Sequence, residues 1–172
     1  MPAADHPQFP GLPWIAGDLV VSREVMEAIE AHAVAAYPSE CCGFAFGPAD
    51  APLVIDEEIE VENEADKYHA MDPEQFPRTS KTYFRLNPMK AMRTLDEAAA
   101  KGRPLKVIYH SHCDAGAYFS GEDSATFAQG EMLMWPCAFL VVSVVDGAIK
   151  EHKLWVHEVG TNNFVEAPIR IG

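Results

Sequence analysis

The segment His110-Ser111-His112-Cys113-Asp114-Ala115-Gly116-Ala117-Tyr118-Phe119-Ser120-Gly121-Glu122-Asp123 gathers groups that bind metals and move protons. His110 and His112 stand two positions apart at the end of an apolar run. Strand side chains alternate, so both imidazoles face the same side. Asp123 falls in the first turn of a helix expected to follow Ser120. The intervening loop is long enough to return its carboxylate to the strand end as a third ligand. Two nitrogens and one oxygen leave a fourth tetrahedral position for water, the pattern of a catalytic zinc site; structural sites are closed by four protein ligands. Histidine with carboxylate also suits other first-row metals, so zinc is the favoured ion of a class. Water activated this way still needs a base. Glu40 heads an otherwise uncharged strand, expected from Glu40 to Gly47, where an ionisable side chain needs a partner. It could shuttle a proton to a leaving amine. Ser120 could donate a hydrogen bond to the oxyanion of a carbonyl becoming tetrahedral.

Each part has a plainer reading. A His-x-His pair is often two satisfied or exposed histidines. Ser120 and Asp123 alone make an S-x-x-D capping box that starts a helix, which is compatible with a ligand role because a cap would fix the ligand's position. Glu40 could form a buried ion pair with a lysine or arginine. The joint spacing is the stronger signal. It resembles the signature of the JAMM (MPN-plus) metalloproteases: a glutamate upstream, then H-x-H-x7-S-x2-D, here Glu40, His110, His112, Ser120 and Asp123. The segment Ser39-Glu40-Cys41-Cys42-Gly43 is similar to the family's glutamate segment, and Asn63 and Met71-Asp72-Pro73 to the middle strands of its bacterial members. The resemblance covers roughly Leu19 to His157.

That resemblance implies zinc ligation by His110, His112 and Asp123, general acid/base work by Glu40 and oxyanion stabilisation by Ser120. It implies an MPN/JAMM fold with a cytidine-deaminase-like layout. It further implies a zinc-dependent peptidase or isopeptidase acting on the C-terminal tail of a ubiquitin-like or sulfur-carrier protein ending in Gly-Gly. The alternative is a non-catalytic MPN-type interaction or scaffold module that retains a metal site. One departure stands out: the family usually has proline after the second histidine, where this chain has Cys113. A Cys113–His dyad acting as nucleophile is a further reading. A zinc deaminase needs P-C-x-x-C, and Pro136-Cys137 is followed by Leu140 where the second cysteine belongs. H-E-x-x-H is absent, which removes a thermolysin-like mechanism.

The elements that must hold these residues read as α+β (mixed α/β), a mostly antiparallel sheet flanked by helices. Leu19 to Val21 reads as a short strand, and Ser22 as the cap of a helix from Arg23 to Ala36, with Val25, Met26, Ile29, Ala33 and Ala36 on one stripe. Leu53 to Val61 reads as a strand with a solvated acidic edge, and 62–87 as irregular. A second helix fits Met89 to Lys101 with Met92, Leu95 and Ala99 inward, and a third fits Gly121 to Met134. Leu105 to His110 is a strand. Ala138 to Val145 and Ile149 to His157 flank Asp146-Gly147, a hairpin signal. His152 and His157 are expected on a solvated face.

Composition sets the frame. The chain has 172 residues with 26 Asp+Glu against 13 Lys+Arg, a formal charge of −13. That length suits one domain: an irregular arm at 1–16, a catalytic domain at 17–158 and a tail at 159–172. The acidic surface repels phosphate backbones, so no nucleic-acid partner is expected. Neither a spanning segment nor a signal peptide is present, so the expected location is cytoplasmic, without a membrane partner. The four cysteines lack C-x-x-C spacing and are expected as free thiols. Nothing in the sequence fixes an oligomeric state.

Overall fold

The computed structural model describes residues 5–172; the first four residues of the expected arm lie outside the described residues. In chain order a 3-10 turn at Pro13–Ala16 precedes β1 (Leu19–Val21), α1 (Arg23–Ala36), β2 (Cys42–Phe46), β3 (Val54–Ile55), β4 (Glu57–Val61), α2 (Ala65–Met71) and α3 (Pro88–Ala100). Then follow β5 (Leu105–Cys113), α4 (Gly121–Phe127), β6 (Ala128–Gln129), β7 (Met132–Leu133), β8 (Ala138–Val145), β9 (Ala148–His157), β10 (Phe164–Ala167) and β11 (Ile169–Ile171). A six-stranded sheet in the order β10-β9-β8-β5-β2-β4 forms the body. Its pairings are antiparallel except for the central β5–β8 pair, which is parallel. The fold is therefore the expected α+β one.

Local chemistry explains the elements. Ser22 caps α1 by accepting from the Val25 N–H, and Val25, Met26, Ile29 and Ala33 are buried. Asp146 and Gly147 both take positive φ, as a tight two-residue hairpin requires. Ala138 through Val144 on β8 are buried without interruption, the mark of a strand covered on both faces. At the far end of β5 from its histidines, Lys106 is fully buried. Its ammonium donates to the Pro48, Ala51 and Val54 carbonyls at 2.8–2.9 Å and ties down the loop before β3.

Four expectations need correction. The irregular stretch 62–87 contains α2; the Asn63 side chain accepts from the Ala65 N–H and starts it. The inward face of α3 is Ala91 and Ala98, with Leu95 half-buried, while Met92 is 56% exposed. Two small side chains let the helix lie close to its neighbours, so the longer methionine is left outside. The third helix ends at Phe127, because Gly130 takes φ +59 and turns β6 back on β7. His157 is buried against His6 at 2.9 Å instead of solvated, its Nε2 bonded to the Thr161 carbonyl oxygen.

The segment 159–172 supplies β10, which extends the main sheet, and β11, which pairs in parallel with β1 in a second, three-stranded sheet. Among the described residues, all four cysteines are free thiols and no helix is long and apolar enough to cross a membrane.

Candidate metal centre

Strand register builds the first part of the site. Cys42 on β2 lies opposite His110 on β5. Beyond the formal end of β2 the pairing continues: the Ser111 N–H donates to the Cys41 carbonyl at 3.0 Å, and the Cys41 N–H donates to Ser111 Oγ at 2.8 Å. One step further brings Glu40 beside His112. Opposed residues of an antiparallel pair share a face, so Glu40, His110 and His112 share one. Each of the three offers a ligand atom within 4.8 Å of the others, and all three are buried.

The helix cap supplies the rest. Ser120 Oγ accepts from the Asp123 N–H at 3.0 Å, and Asp123 Oδ2 accepts from the Ser120 N–H at 3.0 Å, a complete capping box. This fixes the Asp123 carboxylate with Oδ1 3.2 Å from His110 Nε2 and Oδ2 3.2 Å from His112 Nε2. The loop that makes the return is pinned to its surroundings. Tyr37 Oη donates to the Asp114 carboxylate, Glu151 accepts from the Ala117 N–H, and Trp155 Nε1 donates to the Ala117 carbonyl.

The donor set fits a divalent cation. The Gly116 carbonyl lies 2.9 Å from His112 Nδ1 and can only accept, so Nδ1 carries the hydrogen and Nε2 presents its lone pair. His110 Nε2 is 3.3 Å from His112 Nε2. Two ring nitrogens facing each other and a carboxylate call for a shared cation or proton. The separations match the ~3.3 Å edges of a tetrahedron built on ~2.0–2.1 Å bonds. Phe84 stacks on the His110 ring with centroids 4.3 Å apart and shields it from water. His110 Nδ1 is buried without a hydrogen-bond partner among the described residues, so no second-sphere bond orients this ring; the stacking does.

Electrostatics follow from burial. Burial pushes the Glu40 carboxyl up to about 8, helped by the Asp123 charge and opposed by His112. Burial also lowers His110, with Asp123 countering. For His112 burial acts downward, but the hydrogen bond and charge of Asp123, with Glu40, outweigh it and the net shift is upward. Asp123 is driven upward by burial and still held well below the usual carboxylate range by His110, His112 and the Ser120 N–H.

Glu40, His110, His112 and Asp123 thus converge as the sequence suggests. Ser120 lines the same cleft, a cavity of about 140 Å³. Its hydroxyl oxygen serves as the cap, and its own O–H has no acceptor among the described residues. Cys113 also lines the cleft, but burial pushes its thiol up to about 12. A neutral thiol is a poor nucleophile, which argues against the dyad reading.

Five contributors carry no role in the sequence reading. Phe84 covers His110, the Gly116 carbonyl sets the His112 tautomer, and Arg78 and Lys81 line the cleft. Asn63 is the hub beneath: its amide donates to the Glu40 and Tyr83 carbonyls at 2.9 and 3.0 Å, and its oxygen accepts from the Arg85 N–H. Only the likeness around Asn63 hinted at any of these.

Comparison with known proteins agrees with this architecture. A solution structure from Desulfitobacterium hafniense is similar at a TM-score of 0.65 and 18% identity, covering 90% of this chain and 92% of that one. A solution structure from Salinibacter ruber gives 0.58 at 23% identity, with 90% and 92% covered. A JAB1/MPN domain protein from Archaeoglobus fulgidus gives 0.52 at 16% identity, with 89% and 98% covered. At these identities the likeness is one of fold. No curated protein matches the sequence. The family described as prokaryotic homologs of the JAB domain matches residues 22–157, a span that begins at the cap of α1, ends with β9 and contains Glu40, His110, His112 and Asp123. On that match, and with the fold and the clustered ligand set in agreement, the chain belongs to the prokaryotic JAB-domain family.

Proposed function

We propose that this protein is a zinc-dependent metallopeptidase or isopeptidase that hydrolyses an amide bond at the C-terminal tail of a ubiquitin-like or sulfur-carrier protein. The observation that carries the reading is the convergence of two imidazoles and a carboxylate, 3.2–3.3 Å apart, beside a buried glutamate in an open cleft. His110, His112 and Asp123 would hold the ion. A divalent ion there supplies Lewis acidity and lowers the pKa of a water to ~7.

The protein's own groups do the rest. Glu40 takes the proton from the attacking water and passes it to the leaving nitrogen. Burial raises its pKa because the pocket solvates charge poorly, and a nearby cation would offset that penalty. Ser120 has an uncommitted O–H at the cleft and donates to the oxygen that gains charge as the carbonyl becomes tetrahedral. Phe84 covers the His110 ring, and Asn63 holds the strap that carries it, residues 83–85. An extended tail with glycines could pass the cleft in the way peptides pair along sheet edges.

The test is metal analysis followed by incubation with ubiquitin-like carriers extended past Gly-Gly, with and without chelator, read by intact mass. The expected result is near-stoichiometric zinc, loss of whole residues from the carrier's end, and no loss with chelator. Glu40→Gln should keep its zinc and cut nothing. A metal-free wild-type protein would overturn the reading. Stoichiometric zinc with carriers left intact in every case would favour the scaffold alternative.

A further inference from the structure

Next to the metal cleft lies a second cavity, of about 300 Å³, whose lining includes Tyr68, Phe76, Arg78, Tyr83, Arg85 and Glu122. It shares Arg78, Tyr83 and Glu122 with the metal cleft, so the two are contiguous. Glu122 precedes the ligand Asp123, and Arg85 follows Phe84, which stacks on the ligand His110.

Arg85 is unusual for its setting. The chain carries 26 Asp+Glu, and among the described residues the Arg85 guanidinium pairs with none of them. Arg78, by contrast, is engaged by Glu122 at 2.9 Å. The Arg85 guanidinium sits 4.2 Å from the Tyr68 ring centre and 5.0 Å from that of Phe76, and its Nε is buried with no hydrogen-bond partner. An aromatic bed desolvates a guanidinium while keeping it charged, and its planar fork suits a carboxylate. Its backbone is also fixed relative to the centre: the Asn63 side chain that accepts from the Arg85 N–H donates to the Glu40 carbonyl.

We infer that this cavity receives the leaving fragment of a cleaved tail, with an apolar side chain against Tyr68 and Phe76 and the fragment's C-terminal carboxylate on Arg85. The inference rests on reading the site as a tail-trimming hydrolase. Cleavage near a C-terminus makes a short leaving fragment, and every such fragment carries a free carboxylate. The volume suits one or two residues, so the protein should prefer tails with a short, apolar, free-acid extension beyond the scissile bond.

The test uses the full chain and two probes, N-acetyl-phenylalanine and its C-terminal amide, titrated while backbone NMR shifts are followed. The expected result is a preference for the acid of about tenfold or more, with shifts at Tyr68, Phe76 and Arg85. Arg85→Gln should abolish the preference, and Arg85→Lys should restore part of it; thermal melts check that both variants fold. Equal binding of acid and amide, no binding of either, or an acid preference that survives Arg85→Gln would each overturn the assignment. Because binding is read without turnover, the two readings separate. A protein that trims carriers yet ignores the carboxylate refutes only the pocket, whereas one that selects the acid through Arg85 and cuts no carrier supports the pocket and refutes the hydrolase.

Discussion

At the scale of single residues, Glu40 combines burial with a tightly held proton, and Ser120 combines a helix cap with an uncommitted O–H. Burial lifts Glu40 from 4.5 to about 8. Between those values the folded state keeps a proton that the unfolded chain has lost, so stability falls as pH rises through this window. Chelator-treated wild type should therefore lose stability from pH 5 to pH 9 relative to Glu40→Gln, by on the order of 4 kcal/mol. Denaturant titrations at several pH values measure it; parallel curves would mean that Glu40 is already ionised when buried. Added zinc should narrow the gap, since the cation favours the carboxylate. Ser120→Ala removes a cap and should cost about 1 kcal/mol in a thermal melt. On the proposed mechanism it also removes an oxyanion donor and should slow single-turnover cleavage by ~10²–10³, while Ser120→Thr recovers both. A variant slowed no more than its lost stability explains would leave Ser120 as a cap alone.

Among the elements, β5 was the most legible, because alternation along one strand is enough to put His110 and His112 on one face. The stripe of α1 and the Asp146-Gly147 turn were equally local and equally readable. What escaped reading is long-range. Phe84 covers His110 from a segment with no periodicity, and Asn63 ties Glu40 to that segment through bonds spanning about twenty positions. The inward face of α3 shifted because small residues won the close contact over larger hydrophobes. The truncation of α4 follows from one glycine's φ, which hydrophobic pattern does not encode. Asn63→Ala should therefore act at a distance: the Glu40, Tyr83, Ala65 and Arg85 backbone groups lose their partner. A loss of roughly 2–4 kcal/mol is expected in urea unfolding, together with weaker zinc affinity in a chelator competition, because Phe84 and Glu40 lose their anchor. Unchanged affinity would show that other contacts hold the strap.

For the whole molecule, the candidate metal centre rests on a C-terminal segment that contributes none of its residues. Strands of three or four residues hold too little pattern to be read locally, which is why 159–172 looks like a tail in sequence. In the fold β10 extends the sheet from β9, and Phe164 packs on Phe119 at 4.4 Å and on Phe139 at 5.4 Å between ring centroids. Phe119 immediately precedes the Ser120 cap that holds Asp123. Meanwhile β11 pairs with β1, which leads into α1. Deleting residues 160–172 thus removes a wall of the aromatic cluster under the ligand-bearing loop and opens the smaller sheet. The shortened chain should lose about 3 kcal/mol of stability, as expected for stripping a half-buried aromatic together with two paired strands. Its zinc affinity should fall as well, since Asp123 is placed by a cap resting on that cluster. Phe164→Ala in the full chain should reproduce most of both losses, which assigns them to the ring. Melting curves and zinc titrations on the two variants decide the matter: a truncated chain that keeps its affinity would mean that the capping box alone positions Asp123.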